Sequence, residues 1–329
     1  MRVLPPLPLL LVLLAAGCAG PTPDGQFEDL VEPPAPLRLL AIGDAGTGEA
    51  GQFQVARAME AVCAARGCDA VLDLGDLLYP SGASSPDDPQ FDAKFERPYA
   101  NLTVPFWMVL GNHDNSAEPG GTGTWDAQGD NEVAYGARTD RASAKWTMPG
   151  RFYHATLHAP AVDADLFALD TNTLLAADLK EQGPWLDGAL AGSRALWRLA
   201  IGHHPYVSNG PHGDAGAYDG RPVPGLSGEH FRQFFEARLC GKVDLYLAGH
   251  DHTLQWLPAQ PGCGATEFVV SGAGGAATYD LVGDHAARFQ SSSLGFWWLE
   301  LDAAALRAVA FDADGKALHE LSLSRTRSA

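Results

Sequence analysis

From residue 37 onward the chain alternates short apolar runs with amphipathic stretches, and run after run stops at a glycine followed by a polar residue. Leu37–Ile42 is apolar and ends in Gly43-Asp44, the pattern of a buried strand giving way to a loop. Residues 50–65 carry Phe53, Val55, Ala58, Met59 and Val62 at helical spacing. Strands are predicted over 70–74, again ending in Gly-Asp, and over 104–110, ending in Gly-Asn-His-Asp, with a helix over 91–99 between them. Residues 115–131, rich in Gly, Asp and Pro, are expected to form a long surface loop. Further strands are expected over 151–158, 165–169 and 195–201, the last ending in Gly-His-His-Pro. A helix over 229–238 leads to a strand over 243–248 that ends in Gly-His-Asp-His. Four runs in the tail, 267–270, 295–301, 308–311 and 317–323, alternate with period two and predict an antiparallel meander with a turn at Ala313-Asp314-Gly315. No internal repeat interrupts this order, so residues 37–324 are expected to form one α/β domain.

The first residues follow a different pattern. Arg2 precedes an apolar run from Leu4 to Ala16 that is too short to span a bilayer comfortably and has the form of a signal-peptide core. It ends in Leu14-Ala15-Ala16-Gly17-Cys18, which resembles the bacterial lipobox, although Ala15 stands where that pattern prefers Leu. Residues 1–17 are therefore expected to be a lipoprotein-type signal peptide and 18–36 a flexible tether. Cys18 would carry the lipid, leaving an exported protein anchored to a bacterial membrane and facing the periplasm or cell exterior. Cys63, Cys68, Cys240 and Cys263 remain, and an even number in an exported chain points to disulfides. Three pairings are open, of which Cys63–Cys68 with Cys240–Cys263 closes the shortest loops. Their spacing, without a Cys-x-x-Cys pair, argues against zinc.

Charge narrows the function. The formal net charge is −18, and no cluster of Lys and Arg stands out, so nucleic acid is not an expected partner. Attraction for an anionic substrate must then be local, and a bound metal pair could supply it.

The strand–Gly–polar pattern occurs five times: Gly43-Asp44, Gly75-Asp76-Leu77-Leu78-Tyr79, Gly111-Asn112-His113-Asp114, Gly202-His203-His204-Pro205 and Gly249-His250-Asp251-His252. In open α/β sheets the ligand site lies beyond the carboxyl ends of strands, so these loops would bring carboxylates, an amide and imidazoles to one point. Glycine before each polar residue would let the backbone turn sharply. One Gly-Asp pair is common in turns, whereas this ordered set is highly specific. The chain here resembles the metallophosphoesterase superfamily and, within it, the purple acid phosphatases, most of all the small tartrate-resistant type. The similarity runs from about residue 37 to 323 and includes Phe167-Ala168-Leu169-Asp170-Thr171, Val270-Ser271-Gly272-Ala273-Gly274 and Leu294-Gly295-Phe296.

That resemblance implies a calcineurin-like α/β/β/α sandwich, two mixed sheets flanked by helices. It further implies a dinuclear centre in which Asp44, Tyr79 and His252 hold Fe(III). Asn112, His203 and His250 would hold a divalent ion (Fe, Zn or Mn), and Asp76 would bridge the two. Most of the superfamily begins with Asp-x-His, but Gly46 stands where that His would be, and Tyr79 can replace the lost ligand. The implied reaction is phosphate monoester hydrolysis, with metal-bound hydroxide attacking phosphorus in line. His113 would stabilise the phosphoryl oxygens, and His212 would protonate the leaving alkoxide. Asp114 would orient a neighbouring ligand, the role of His204 is open, and Asp73 is expected to cap or face solvent. His154, His158, His230, His285 and His319 are read as structural or surface residues. The same fold also serves phosphodiesterases and nucleotidases, and a different class of reading is a non-catalytic metal-binding surface lipoprotein. Seven filled ligand positions favour an enzyme. Its expected partners are a phosphate-ester small molecule or phosphoprotein, with the membrane met only through Cys18 and the chain a monomer.

Overall fold

The apolar run Leu37–Ile42 forms strand β1, buried at every position but Arg38. The computed structural model describes residues 34–119, 121, 128–176, 180–221 and 223–325. The expected signal segment 1–17, Cys18 and the tether as far as residue 33 lie outside the described residues. Along the rest of the chain the strands are β2 (Ala70–Asp73), β3 (Phe106–Met108), β4 (Trp146–Thr147), β5 (Tyr153–Ala159), β6 (Val162–Ala168) and β7 (Trp197–Ile201). They continue as β8 (Leu245–Ala248), β9 (Leu254–Leu257), β10 (Glu267–Ser271), β11 (Phe289–Ser291), β12 (Gly295–Leu301), β13 (Ala305–Asp312) and β14 (Ala317–Ser324). The α-helices are α1 (Ala50–Arg66), α2 (Gln128–Ala137), α3 (Thr171–Leu175), α4 (Gln182–Gly192), α5 (Pro224–Ser227) and α6 (Glu229–Arg238).

Two seven-stranded mixed sheets result, ordered β14-β13-β12-β1-β2-β3-β4 and β11-β9-β10-β8-β7-β6-β5. β1, β2 and β3 run parallel in the first, and β6, β7, β8 and β10 run parallel in the second. Their near-continuous apolar character is that of strands covered on both faces. Between the sheets, Trp256 of β9 meets Trp297 of β12 edge to face at 5.2 Å, and the Ser271 hydroxyl donates to the Ala41 carbonyl at 2.7 Å. Outside, α1 buries Val55, Met59 and Val62 in the core that holds the first sheet. Helix α6 buries Phe231, Phe234 and Phe235 among residues of the second sheet. The α/β/β/α sandwich expected from the resemblance is the observed one. Disulfides join Cys63 to Cys68 and Cys240 to Cys263, the shortest-loop pairing. Among the described residues no helix is long and apolar enough to cross a membrane.

Three expectations need correction. The helix expected over 91–99 is a short π-helical turn, Asp92–Glu96. The stretch 115–131 is not loop throughout, because α2 begins at Gln128 and buries Gly129, Glu132 and Tyr135 on one side. That stripe has only one large apolar member, Tyr135, so hydrophobic periodicity could not reveal it; the ring stacks on Phe91 at 3.8 Å. The four-run tail is a meander only for β12, β13 and β14, with Gly315 (φ 76°) at its predicted turn. β10 lies instead in the second sheet between β8 and β9, and its unbroken buried run Phe268-Val269-Val270 suits that doubly covered place.

Candidate metal centre

The parallel strands β1, β2 and β3 on one side and β7 and β8 on the other carry the five loops at their carboxyl ends. The backbone solves the sharp turn differently from the sequence expectation. Positive φ falls on the polar residues Asp44 (56°), Asp76 (54°) and His250 (67°), where non-glycine residues are strained. The preceding glycines mostly serve close approach. A Cβ on Gly111 would lie 2.1 Å from Asp76 Oδ1, and one on Gly249 would lie 2.5 Å from Asp44 Oδ2. Backbone bonds lace the loops together: Asp44 N donates to Gly75 O at 2.9 Å, and His250 N donates to Asp44 Oδ2 at 2.8 Å.

All seven predicted donor residues come to one point. The Tyr79 hydroxyl lies 3.1 Å from Asp44 Oδ1, 2.9 Å from Asp76 Oδ2 and 3.3 Å from His252 Nε2. His203 Nε2 lies 3.0 Å from Asn112 Oδ1, 3.2 Å from His250 Nδ1 and 3.5 Å from Asp76 Oδ2. Outer partners set the rings: His203 Nδ1 is 2.9 Å from Leu74 O, and His252 Nδ1 is 2.7 Å from Ala277 O. These bonds leave each Nε2 to face the cluster, and Asn112 is held by its amide, which donates to Gly121 O at 3.0 Å.

Electrostatics in the polypeptide alone mark the point as one that wants positive charge. Burial opposes ionisation of Asp76, yet His203 and His113 hold its carboxyl below the usual range. Burial also opposes charging of His203 and His252, but Asp76 raises the first and Asp44 takes the second up to about 9. Tyr79 is pushed well up, by burial and then by Asp44 and Asp76, so only a cation would draw off its proton. His250 is held well down by burial and then by neighbouring His212, leaving a neutral imidazole.

His113 and His212 flank the cluster. His113 N donates to Asp76 Oδ1 at 2.9 Å, its ring packs 4.3 Å from Tyr79, and its Nδ1 is 2.8 Å from Pro80 O. His212 is no loosely solvated loop residue. Its ring stacks on His250 at 4.0 Å, and its Nδ1 pairs with Asp219 Oδ1 at 2.7 Å. Asp114 is fully buried and accepts from Leu78 N at 2.9 Å and Gly111 N at 2.7 Å, joining two of the loops; burial and then Asp76 raise its carboxyl to about 7. His204 is buried, its Nδ1 lies 2.7 Å from Thr171 Oγ1, and its ring is 4.6 Å from that of His250.

Asp73 departs from expectation. It does not face solvent but is buried at the end of β2, its Oδ1 without a hydrogen-bond partner among the described residues, and burial raises its carboxyl well above the usual range. His154, His158 and His285 pair with Asp165, Asp163 and Asp214. Two residues with no signal of their own in the sequence adjoin the site. Asp251 Oδ1 accepts from His212 N at 3.0 Å, and Tyr279 stacks on His252 at 4.0 Å. Asp251 lies inside a recognised motif, but Tyr279 lies in a segment without periodicity.

The donors suit metal. Asp44, Asp76 and His203 offer ligand atoms that all lie within 4.8 Å of one another, and all three residues are buried. Two buried carboxylates in such a cluster call for a counter-charge. Fold and donor set together define a metal-dependent phosphoesterase. Residues 37–254 match the family of calcineurin-like phosphoesterases, and the chain belongs to that family. More narrowly, it is similar to the purple acid phosphatases, hydrolases of dinuclear metal type. It is 28% identical to tartrate-resistant acid phosphatase type 5 of Sus scrofa, over 96% of this chain and 95% of the relative. It is 27% identical to purple acid phosphatase 4 of Arabidopsis thaliana, over 97% of this chain and 89% of the relative. A solved structure described as the anchor in the inner membrane complex of Plasmodium shares the fold, with TM-score 0.72 at 19% identity over 89% of this chain and 90% of that one. The chain is thus a dinuclear metal phosphoesterase.

Proposed function

We propose that this protein hydrolyses phosphate monoesters, with Asp44, Tyr79 and His252 holding Fe(III) and Asn112, His203 and His250 holding a divalent ion (Fe, Zn or Mn). Asp76 bridges the two sites. The observation that carries this reading is the place of Asp76 Oδ2, 2.9 Å from Tyr79 Oη on one side and 3.5 Å from His203 Nε2 on the other. When bound, the ions supply positive charge to the phosphoryl oxygens and lower the pKa of water. Phenolate and carboxylate suit a hard ferric ion, and imidazoles with an amide suit the softer partner.

The chain's own residues supply the remaining tasks. His113, at the Tyr79 end of the cluster, donates to a phosphoryl oxygen as charge develops there. His212 is oriented by Asp219 through Nδ1, which leaves Nε2 to deliver a proton to the departing alkoxide. Two disulfides support an oxidising compartment, and the Leu-Ala-Ala-Gly-Cys pattern at 14–18 supports export with a lipid on Cys18. Turnover of a chromogenic phosphomonoester by metal-loaded protein, set against Asp76→Asn, tests the function. Equal turnover by the two proteins, or none by either, overturns it.

A further inference from the structure

Tyr279 lies on the segment that follows β10, and this segment has no regular secondary structure between residues 277 and 287. It is nevertheless pinned to the site. Ala276 N donates to Asp44 O at 2.9 Å, Tyr279 N to His252 O at 3.1 Å, and Val282 N to Asn209 O at 2.8 Å. The ring of Tyr279 therefore has a fixed place. It stacks on His252 at 4.0 Å with 10° between the planes and stands edge-on to His212 at 5.6 Å. It bridges the proposed ferric end of the cluster and the histidine assigned to the leaving group. The ring is half-buried.

Two further features describe what the rim would welcome. Among the described residues, the large exposed apolar side chains are Val223, Leu226 and Val282. All three lie on the two segments that frame His212: Val282 three residues after Tyr279, Val223 and Leu226 just after the Tyr218–Gly220 turn that carries Asp219. Exposed apolar side chains on segments that carry a site's own residues offer it aliphatic surface. The same segments carry Asp214, Asp219, Asp280 and Asp284 against one cation, Arg221, which lies 3.4 Å from Asp219. A leaving group bearing further phosphates would meet carboxylates there, whereas a neutral aromatic one would meet rings and aliphatic surface.

We propose that Tyr279 is the contact for the leaving group and selects aryl over alkyl phosphomonoesters. The proposal rests on the phosphomonoesterase reading above. An aromatic contact of this kind is worth about 3- to 10-fold in kcat/KM.

The test uses the full metal-loaded chain as wild type, Tyr279→Phe and Tyr279→Ala. Each is assayed on 4-nitrophenyl phosphate and on glycerol phosphate, with inorganic phosphate affinity measured by calorimetry. The expected result is that Tyr279→Ala lowers aryl kcat/KM about 3- to 10-fold relative to alkyl, while Tyr279→Phe keeps the preference. Phosphate has no leaving group, so its affinity should not change. Equal losses on both esters, or phosphate binding weakened in step, would mean that Tyr279 merely supports His252, and the proposal would fall. If wild type turns over neither ester, the hydrolase reading falls. Tyr279 is then judged by calorimetry alone, where an unchanged ratio of aryl to alkyl ester affinity in Tyr279→Ala overturns its role.

Discussion

The Tyr79 hydroxyl lies 2.9 Å from Asp76 Oδ2, three residues earlier on the same loop, and 3.1 Å from Asp44 Oδ1. A phenol wedged between two carboxylates gives up its proton only to a cation. Tyr79→Phe keeps the ring and its packing against His113 but removes the donor oxygen. The metal-loaded variant is expected to lose any visible charge-transfer band while its far-ultraviolet circular dichroism is unchanged. A band that survives would exclude Tyr79 as a ligand.

Asp114 ties Leu78 N to Gly111 N, and so holds the loop of Asp76 and Tyr79 against the loop of Asn112. Asp114→Asn presents an amide N–H to one of these donors. Metal affinity is expected to fall about 10- to 100-fold, as for other groups that orient ligands. Stability should fall by about 1–3 kcal/mol for the buried N–H left unpaired. Chelator competition and denaturant unfolding measure the two effects. Wild-type values in both would remove Asp114 from the support of the site.

Glu132 on α2 is fully buried, its Oε2 has no hydrogen-bond partner among the described residues, and burial followed by Asp114 raises its carboxyl well above the usual range. A carboxyl raised in the folded state binds its proton more tightly there than in the unfolded chain. Its contribution is therefore most favourable at low pH and is lost as pH climbs above the unfolded value toward the folded one. Glu132→Gln has no proton to lose. The stability difference, variant minus wild type, is expected to grow as pH rises from about 4.5 toward neutrality. Thermal melts across that range give the slope, and a flat difference would show that Glu132 ionises normally.

Cys240–Cys263 closes a loop with a sequence separation of 23, while Cys63–Cys68 spans only 5. Loop-closure entropy makes the longer bridge the more stabilising one. Cys240→Ala with Cys263→Ala is expected to cost about 3 kcal/mol, and the same change at Cys63 and Cys68 less. Urea unfolding of the two double variants ranks them, and the reverse order would show that loop entropy does not set their weight.

Much of the site could be read from the chain because the information is local. A strand that ends at Gly-Asp, Gly-Asn-His or Gly-His announces where the backbone leaves the sheet, and the donor follows at once. Asp44, Asp76, Asn112, His203, His250 and His252 stood out on that ground, Tyr79 and the ligand roles followed from the family resemblance, and all seven residues meet in the structure. Helix α6, with its buried Phe231, Phe234 and Phe235, was legible for the same kind of reason, since helical period sorts its faces. Helix α2 was not, because one aromatic and a buried Glu132 make no apolar stripe.

The sequence by itself determined the order of the motifs along the chain, the donor types and the alternation of strands and helices, since each depends on neighbours a few residues apart, while the two-sheet sandwich was implied by the family resemblance. Tertiary structure alone decided which sheet β10 joins, that Asp73 is buried rather than solvated, and that His212 stacks on His250. It also decided that Tyr279 reaches His252 from a segment with no pattern of its own. Those contacts join residues tens of positions apart. They exist because two twisted sheets pack face to face and bring the loops at their edges into one cluster, which no local periodicity records.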